Sequence, residues 1–179
     1  EAAYGISHGQ LAYYRALVDR GVLREITDSV SLREHVTAWE NDTTGELPIG
    51  FILSMEGSPP ILSAAQISEW YRAGLKILGP AHYGPAPYCH GTGSEGGLTA
   101  DGPDLLREMD QAGMLLDVTH LADQSFWEAL EIFSGPVLAS HHNCRALVNA
   151  DRQLADDQIK ALIERGAVIG AAFDCWMLQ

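Results

Sequence analysis

Four residues carry most of the chemistry this sequence offers: Glu56, His82, His120 and His141. Each closes a short apolar run, in "ILSMEG", "KILGPAH", "MLLDVTH" and "PVLASHH". Neutral imidazole and carboxylate are standard zinc ligands, so Glu56, His120 and His141 are the set expected to hold metal. A carboxylate has two oxygens, and Glu56 is therefore suited to bridging two cations. His82 is placed to polarise a carbonyl or steady an oxyanion. One histidine after a strand is usually satisfied by its own backbone. The weight of the reading comes from the recurrence of the pattern.

Further polar residues surround these. Asp117 lies inside an apolar run, where burial demands a partner, and a structural hydrogen bond or one to a neighbouring ligand is its expected role. His142 follows His141 directly, and alternation along a strand points it away from the site. Arg145 and Arg152 follow the same strand. Each is read either as a fork onto a substrate carboxylate or as an ion pair with Asp151, Asp156 or Asp157. His90 lies in a Gly- and Pro-rich loop from Gly84 to Gly97, which is read as flexible and near substrate. "GTGSEGG" within it is not placed between a strand and its helix and is no phosphate cradle. Tyr83, Tyr88 and Trp176 are read as pocket lining or simple packing.

Elements that deliver four strand ends to one point are the next requirement. Residues 9–40 read as helical, with a second piece capped by Thr27, Asp28 or Ser31. "LPIGFILSMEG" reads as one buried strand of the parallel-sheet kind. A helix ending at Gly74, a strand "LKILG", and a helix with Pro103 in its first turn and Gly113 as its stop come next. Strand, helix, strand, helix and strand complete the chain, the last over "AVIGAAFDCWML". Five strands with helices between them predict an α/β fold with a parallel sheet. No GxGxxG follows a strand, and catalytic groups at consecutive C-terminal strand ends favour a (β/α) barrel over a doubly wound sheet. The whole of 1–179 is read as a single, partial barrel domain.

Composition narrows the class. The 179 residues carry 24 Asp+Glu against 11 Lys+Arg, a net charge of −13, which opposes nucleic-acid or anionic-membrane partners and suits a cation site. Three isolated cysteines, Cys89, Cys144 and Cys175, read as reduced thiols rather than a disulfide framework. No run is long and apolar enough for a membrane span. The first residue is Glu1 rather than Met, so a preceding leader would be invisible, and cytoplasmic, periplasmic and secreted locations all stay open.

With these residues in view, "SMEGS", "LKILGPAHY", "GLTADGPDLLREMDQAGMLLDVTH" and "PVLASHHNCRAL" resemble the renal or membrane dipeptidase family of zinc peptidases. The resemblance runs from about Pro48 to Phe173. It implies a (β/α)8 barrel of the amidohydrolase-related kind, of which strands three to seven are present. It also implies two zinc ions bridged by Glu56, with His120 and His141 on one of them. His82 would contact the scissile carbonyl and Arg152 the substrate carboxylate. The implied reaction is hydrolysis of dipeptides or related N-acyl amino acids by a metal-bridging hydroxide, in a protein that could form a homodimer. The family's His-x-Asp pair and terminal aspartate find no match: "ISHGQ" lacks the pattern and Asp174 falls one strand early. This chain by itself is therefore expected to bind metal incompletely and to have little activity. "YGPAPY" also lacks the asparagine usual after His82, which bears on substrate preference. The rival readings are an amidohydrolase-like deacylase and a barrel-like binding protein without catalysis.

Overall fold

The computed structural model describes residues 1–178. Its N-terminal part holds helix α1 (Ala2–Asp19), strand β1 (Leu23–Glu25) and helix α2 (Ser29–Glu40). The helical reading of residues 9–40 misses β1. Gly21, at φ 72°, ends α1 in the left-handed conformation that glycine adopts at little cost, and the chain leaves extended. Helix α2 starts at Asp28, whose carboxylate accepts from the Val30 and Ser31 amides while the Ser31 hydroxyl accepts from the Asp28 amide. This reciprocal box satisfies otherwise orphaned donors of the first turn.

The apolar run before Glu56 is two strands, not one. Strand β2 (Ile49–Phe51) pairs in parallel with β1, whereas β3 (Ser54–Glu56) belongs to the main sheet. Ile52 and Leu53 carry the chain from one ladder to the other. Helix α3 (Ile67–Arg72), strand β4 (Ile77–Gly79), helix α4 (Gly102–Ala112), strand β5 (Leu115–Asp117), helix α5 (Asp123–Ile132), strand β6 (Val137–His142), helix α6 (Asp156–Glu164) and strand β7 (Val168–Ala171) follow. The main sheet runs β3-β4-β5-β6-β7, every neighbouring pair parallel. A doubly wound sheet would reverse its strand order at a switch point. Sequential order without reversal is the barrel pattern, and the five strands are those expected.

Helix α4 follows its sequence signals, with Pro103 in the first turn and Gly113 at φ 76° as the stop. It buries Leu105, Leu106 and Met109 against a core that includes Leu78 and Leu116 of the central strands, Phe126 of α5 and Leu162 of α6. Each such side chain stabilises the fold by about 1.5–3 kcal/mol on burial. This layer fixes where the strand ends lie.

Two further expectations change. The last strand stops at Ala171, and a short 3-10 turn over Cys175–Met177 replaces its predicted continuation. The Asn143 side chain takes both backbone groups of Ala172, accepting from its amide at 3.1 Å and donating to its carbonyl at 2.8 Å. A ladder partner is thereby displaced. The loop after His82 is also not the flexible segment it reads as. Tyr88, Cys89, Gly91 and Thr92 are buried, and bridges join Tyr83 to Thr92, Pro85 to His90, Cys89 to Leu98 and Gly91 to Leu121.

Candidate metal centre

Strand β5 ends at Asp117, and its carboxylate Oδ1 accepts from the Thr119 amide at 3.0 Å, turning the chain. His120 then sits at φ 69°, the one non-glycine residue at positive φ among those described. A left-handed histidine costs about 1–3 kcal/mol and persists where the surroundings over-determine it. Here they do. The Thr92 amide donates to the His120 carbonyl at 2.7 Å and to the His82 carbonyl at 3.0 Å, joining the ends of β4 and β5.

His141 is aimed differently, by a bulge in β6. Ala139 pairs with Ile169 but His142 pairs with Ala171, so β6 carries one extra residue. Gly170 opposes the bulge, and a Cβ there would meet the Ser140 carbonyl at 2.0 Å. His141 stays half-exposed while His142 is buried, as alternation predicts.

The side chains converge on one oxygen. Glu56 Oε1 lies 3.3 Å from His120 Nε2 and 3.2 Å from His141 Nε2. The His82 ring stacks at a tilt on His120, with centroids 4.3 Å apart. Ligand atoms of Glu56, His82 and His120 lie within 4.8 Å of one another, so His82, expected at a substrate carbonyl, adjoins the same cluster. Tyr83 closes the group edge-on, 5.0 Å from the His120 ring. Burial pushes the His120 imidazole down to about 3, helped by the nearby Arg152, His82, His141 and His142 charges. The ring is therefore neutral at physiological pH, the form that ligates metal. A carboxylate and imidazole nitrogens around one point fit a divalent cation in number and kind.

Arg152 and Arg145 part company. Arg152 is 3% exposed and donates to the His141 carbonyl at 2.8 Å and to His142 Nδ1 at 3.3 Å. Burial lowers its pKa. Among the described residues no carboxylate lies within ion-pair distance of it. Arg145 forks instead onto Asp123, with both contacts at 2.7 Å, and donates through Nε to the Gln153 carbonyl. Its guanidinium is occupied in joining α5 to the segment after β6. The carboxylate it pairs with is not that of Asp151, Asp156 or Asp157, and Asp151 offers it only a backbone carbonyl, at 3.5 Å. Asp151 holds the Gly93 amide at 2.8 Å.

Asp117 holds Ser140 through both amide and hydroxyl and bonds no site histidine directly. His90 staples its own loop, with Nδ1 2.9 Å from the Gly97 carbonyl. The Tyr88 hydroxyl donates to the Ile61 carbonyl and is packing, and Trp176 is largely exposed. Sequence reasoning passed over Thr92 and Ser140, whose hydroxyls lie 3.1 Å from His120 Nδ1 and 2.8 Å from His141 Nδ1. Ser140, adjacent to His141, carried a local signal. Thr92, 28 residues from its histidine, carried none.

Consecutive parallel strands presenting a carboxylate and histidines at their C-terminal ends define a barrel of the metal-dependent hydrolase type. The chain belongs to the membrane dipeptidase family (peptidase family M19), whose model matches residues 15–179. It is 30% identical over 147 residues to a protein from the PQQ-III 3' region of Acinetobacter calcoaceticus, covering 77% of this chain and 47% of that one. It is 27% identical over 158 residues to dipeptidase verJ of Clonostachys rogersoniana, covering 85% of this chain and 40% of the relative. A metallo peptidase from Rhodobacter sphaeroides, liganded with a phosphinate mimic of the dipeptide L-Ala-D-Ala, superposes with a TM-score of 0.81 at 26% identity, over 96% of this chain and 49% of the other. The chain thus spans about half the length of the relatives it matches.

Proposed function

We propose that the protein acts in zinc-dependent hydrolysis of dipeptides or related N-acyl amino acids. The observation that carries this reading is the convergence of His120 Nε2 and His141 Nε2 on one Glu56 oxygen, with His82 beside them. Family membership and the dipeptide mimic bound by the Rhodobacter sphaeroides relative support the substrate class. Glu56, His120 and His141 would hold the metal, Glu56 bridging to a second ion. Bound zinc supplies Lewis acidity toward a carbonyl and makes a water-derived nucleophile available near neutral pH.

The protein's own groups do the rest. His82 donates a hydrogen bond to the carbonyl oxygen as charge develops there. Arg152 anchors the substrate carboxylate. A buried guanidinium without a carboxylate partner is costly, and an anionic substrate end relieves that cost. Arg152 also retains N–H groups beyond those given to His141 and His142.

The test is metal content and dipeptide hydrolysis of the full-length protein and of its His120→Ala variant. Metal-dependent turnover should fall by more than about 100-fold in the variant, since loss of even an outer-shell contact costs 10–100-fold. A protein that holds no divalent metal, with hydrolysis unchanged by His120→Ala, would refute the assignment.

A further inference from the structure

The two metal-facing imidazoles each have a hydroxyl on the nitrogen turned away from Glu56. For His141 that hydroxyl is Ser140 Oγ, 2.8 Å from Nδ1. Ser140 Oγ is also 2.5 Å from Asp117 Oδ2, a carboxylate oxygen that can only accept. The single hydroxyl proton therefore points at Asp117. Ser140 must accept from the ring, which places the His141 proton on Nδ1 and leaves the Nε2 lone pair facing Glu56.

The surroundings leave little freedom to reverse this. Asp117 Oδ1 accepts from the amides of Thr119 and Ser140, both at 3.0 Å, so the carboxylate cannot swing away. The Thr119 hydroxyl accepts from the His141 amide at 3.4 Å and lies 3.2 Å from Ser140 Oγ, oriented to fill its second lone pair. At His120, Thr92 Oγ1 lies 3.1 Å from Nδ1 and donates to the His120 carbonyl at 3.3 Å, so it too is left to accept from the ring.

We infer that Ser140, held by Asp117, and Thr92 are positioning residues that fix His141 and His120 as Nδ1–H tautomers, turning both Nε2 lone pairs toward Glu56. Two bare lone pairs beside a carboxylate oxygen repel one another unless a cation lies between them. The hydroxyls thus prepare the site for metal before it arrives. The inference deepens the proposed function and rests on it for the identity of the cation, but not for the tautomers.

The test is long-range proton–nitrogen correlation on the 15N-labelled, metal-free full chain at about pH 8, well above the ordinary histidine value. His120 and His141 should both carry their proton on Nδ1. Ser140→Ala should move only His141 toward the Nε2–H form, and Ser140→Thr should restore it. Thr92→Val should move only His120. Asp117→Asn keeps the shape if Ser140→Ala fails to fold, and by freeing the Ser140 proton to turn to Nδ1 it should give the same shift. Zinc affinity, read by competition with a chromogenic chelator, should fall about 10–100-fold in Ser140→Ala and recover in Ser140→Thr. An Nε2–H proton on His141 in the parent overturns the inference. So does a tautomer indifferent to both Ser140→Ala and Asp117→Asn, or a shifted tautomer with zinc affinity unchanged. A parent that shows the Nδ1–H pair yet binds no zinc sinks the proposed function while upholding the tautomer assignment.

Discussion

Gly91→Ala isolates what the loop after His82 does for the site. A Cβ on Gly91 would lie 2.1 Å from the His82 carbonyl oxygen and 3.0 Å from the Ala81 Cβ, where ordinary contact begins at 3.4 Å. Something must therefore move by more than about 1 Å, and neither neighbour is a flexible side-chain end that could yield cheaply. Gly91 is held to the Gly84 carbonyl, and the next residue, Thr92, ties His82 to His120. Overpacking of this kind costs about 1–3 kcal/mol, a fall in Tm of roughly 2–12 °C for a chain of this length. Because the shift lies between two site histidines, zinc affinity should fall at least about 10-fold as well. Gly93→Ala is the control. It has φ 76° and nothing within 4 Å of the added carbon, so it incurs only the left-handed penalty of about 1–2 kcal/mol. Calorimetric zinc titration with thermal melts on both variants decides the matter. Equal loss of zinc affinity in the two, or Gly91→Ala behaving as the parent, would refute the reasoning.

Two other outcomes follow from buried and paired groups. Burial pushes the Cys89 thiol up to about 12, so at neutral pH a thiol-specific chromogen should react quickly with exposed Cys175, slowly with Cys144 and with Cys89 only after unfolding; rapid titration of all three would contradict this packing. The Arg145 guanidinium holds Asp123 below its ordinary value. A depressed folded pKa gives stability that is present above the unfolded value of about 3.9 and lost as pH falls through the folded one. The pair is half-exposed on the Asp123 side, so Asp123→Asn should cost no more than about 1 kcal/mol at pH 7 and flatten the acid limb of stability below about pH 4 in chemical denaturation. An acid limb as steep as the parent's would show that the pair contributes nothing.

The legible parts of this fold are those written within one or two turns of chain. Pro103 and Gly113 bracket α4, Asp28 and Ser31 start α2, and apolar runs ending in Glu56, His82, His120 and His141 foretell four strand ends. Strand β1 was hidden because three residues between two helices are too few to show a period of two. The division of residues 49–56 between two sheets depends on partners, Leu23 for one half and Ile77 for the other, that no local pattern names. Arg145 posed the same difficulty, since three nearby aspartates looked as suitable as Asp123, 22 residues upstream. Candidate ligand histidines can be read from strand ends. The hydroxyls that orient them come from wherever the folded chain brings them.

The bond from one amide, Thr92 N, to two carbonyls at the ends of adjacent strands bears on how freely this chain can vary in length. Long surface connections ordinarily accept insertions, nicks and grafted tags. Between His82 and Thr92 the connection is instead a gauge rod cut to size: a residue added there changes the spacing between His82 and His120 rather than the slack of a loop. The turn at Asp42–Glu46 is exposed and held by its own Asp42 carboxylate through Thr44 and Gly45, with no tie to the metal centre. An epitope or fluorophore belongs there, and the segment over the histidines should be left at its native count.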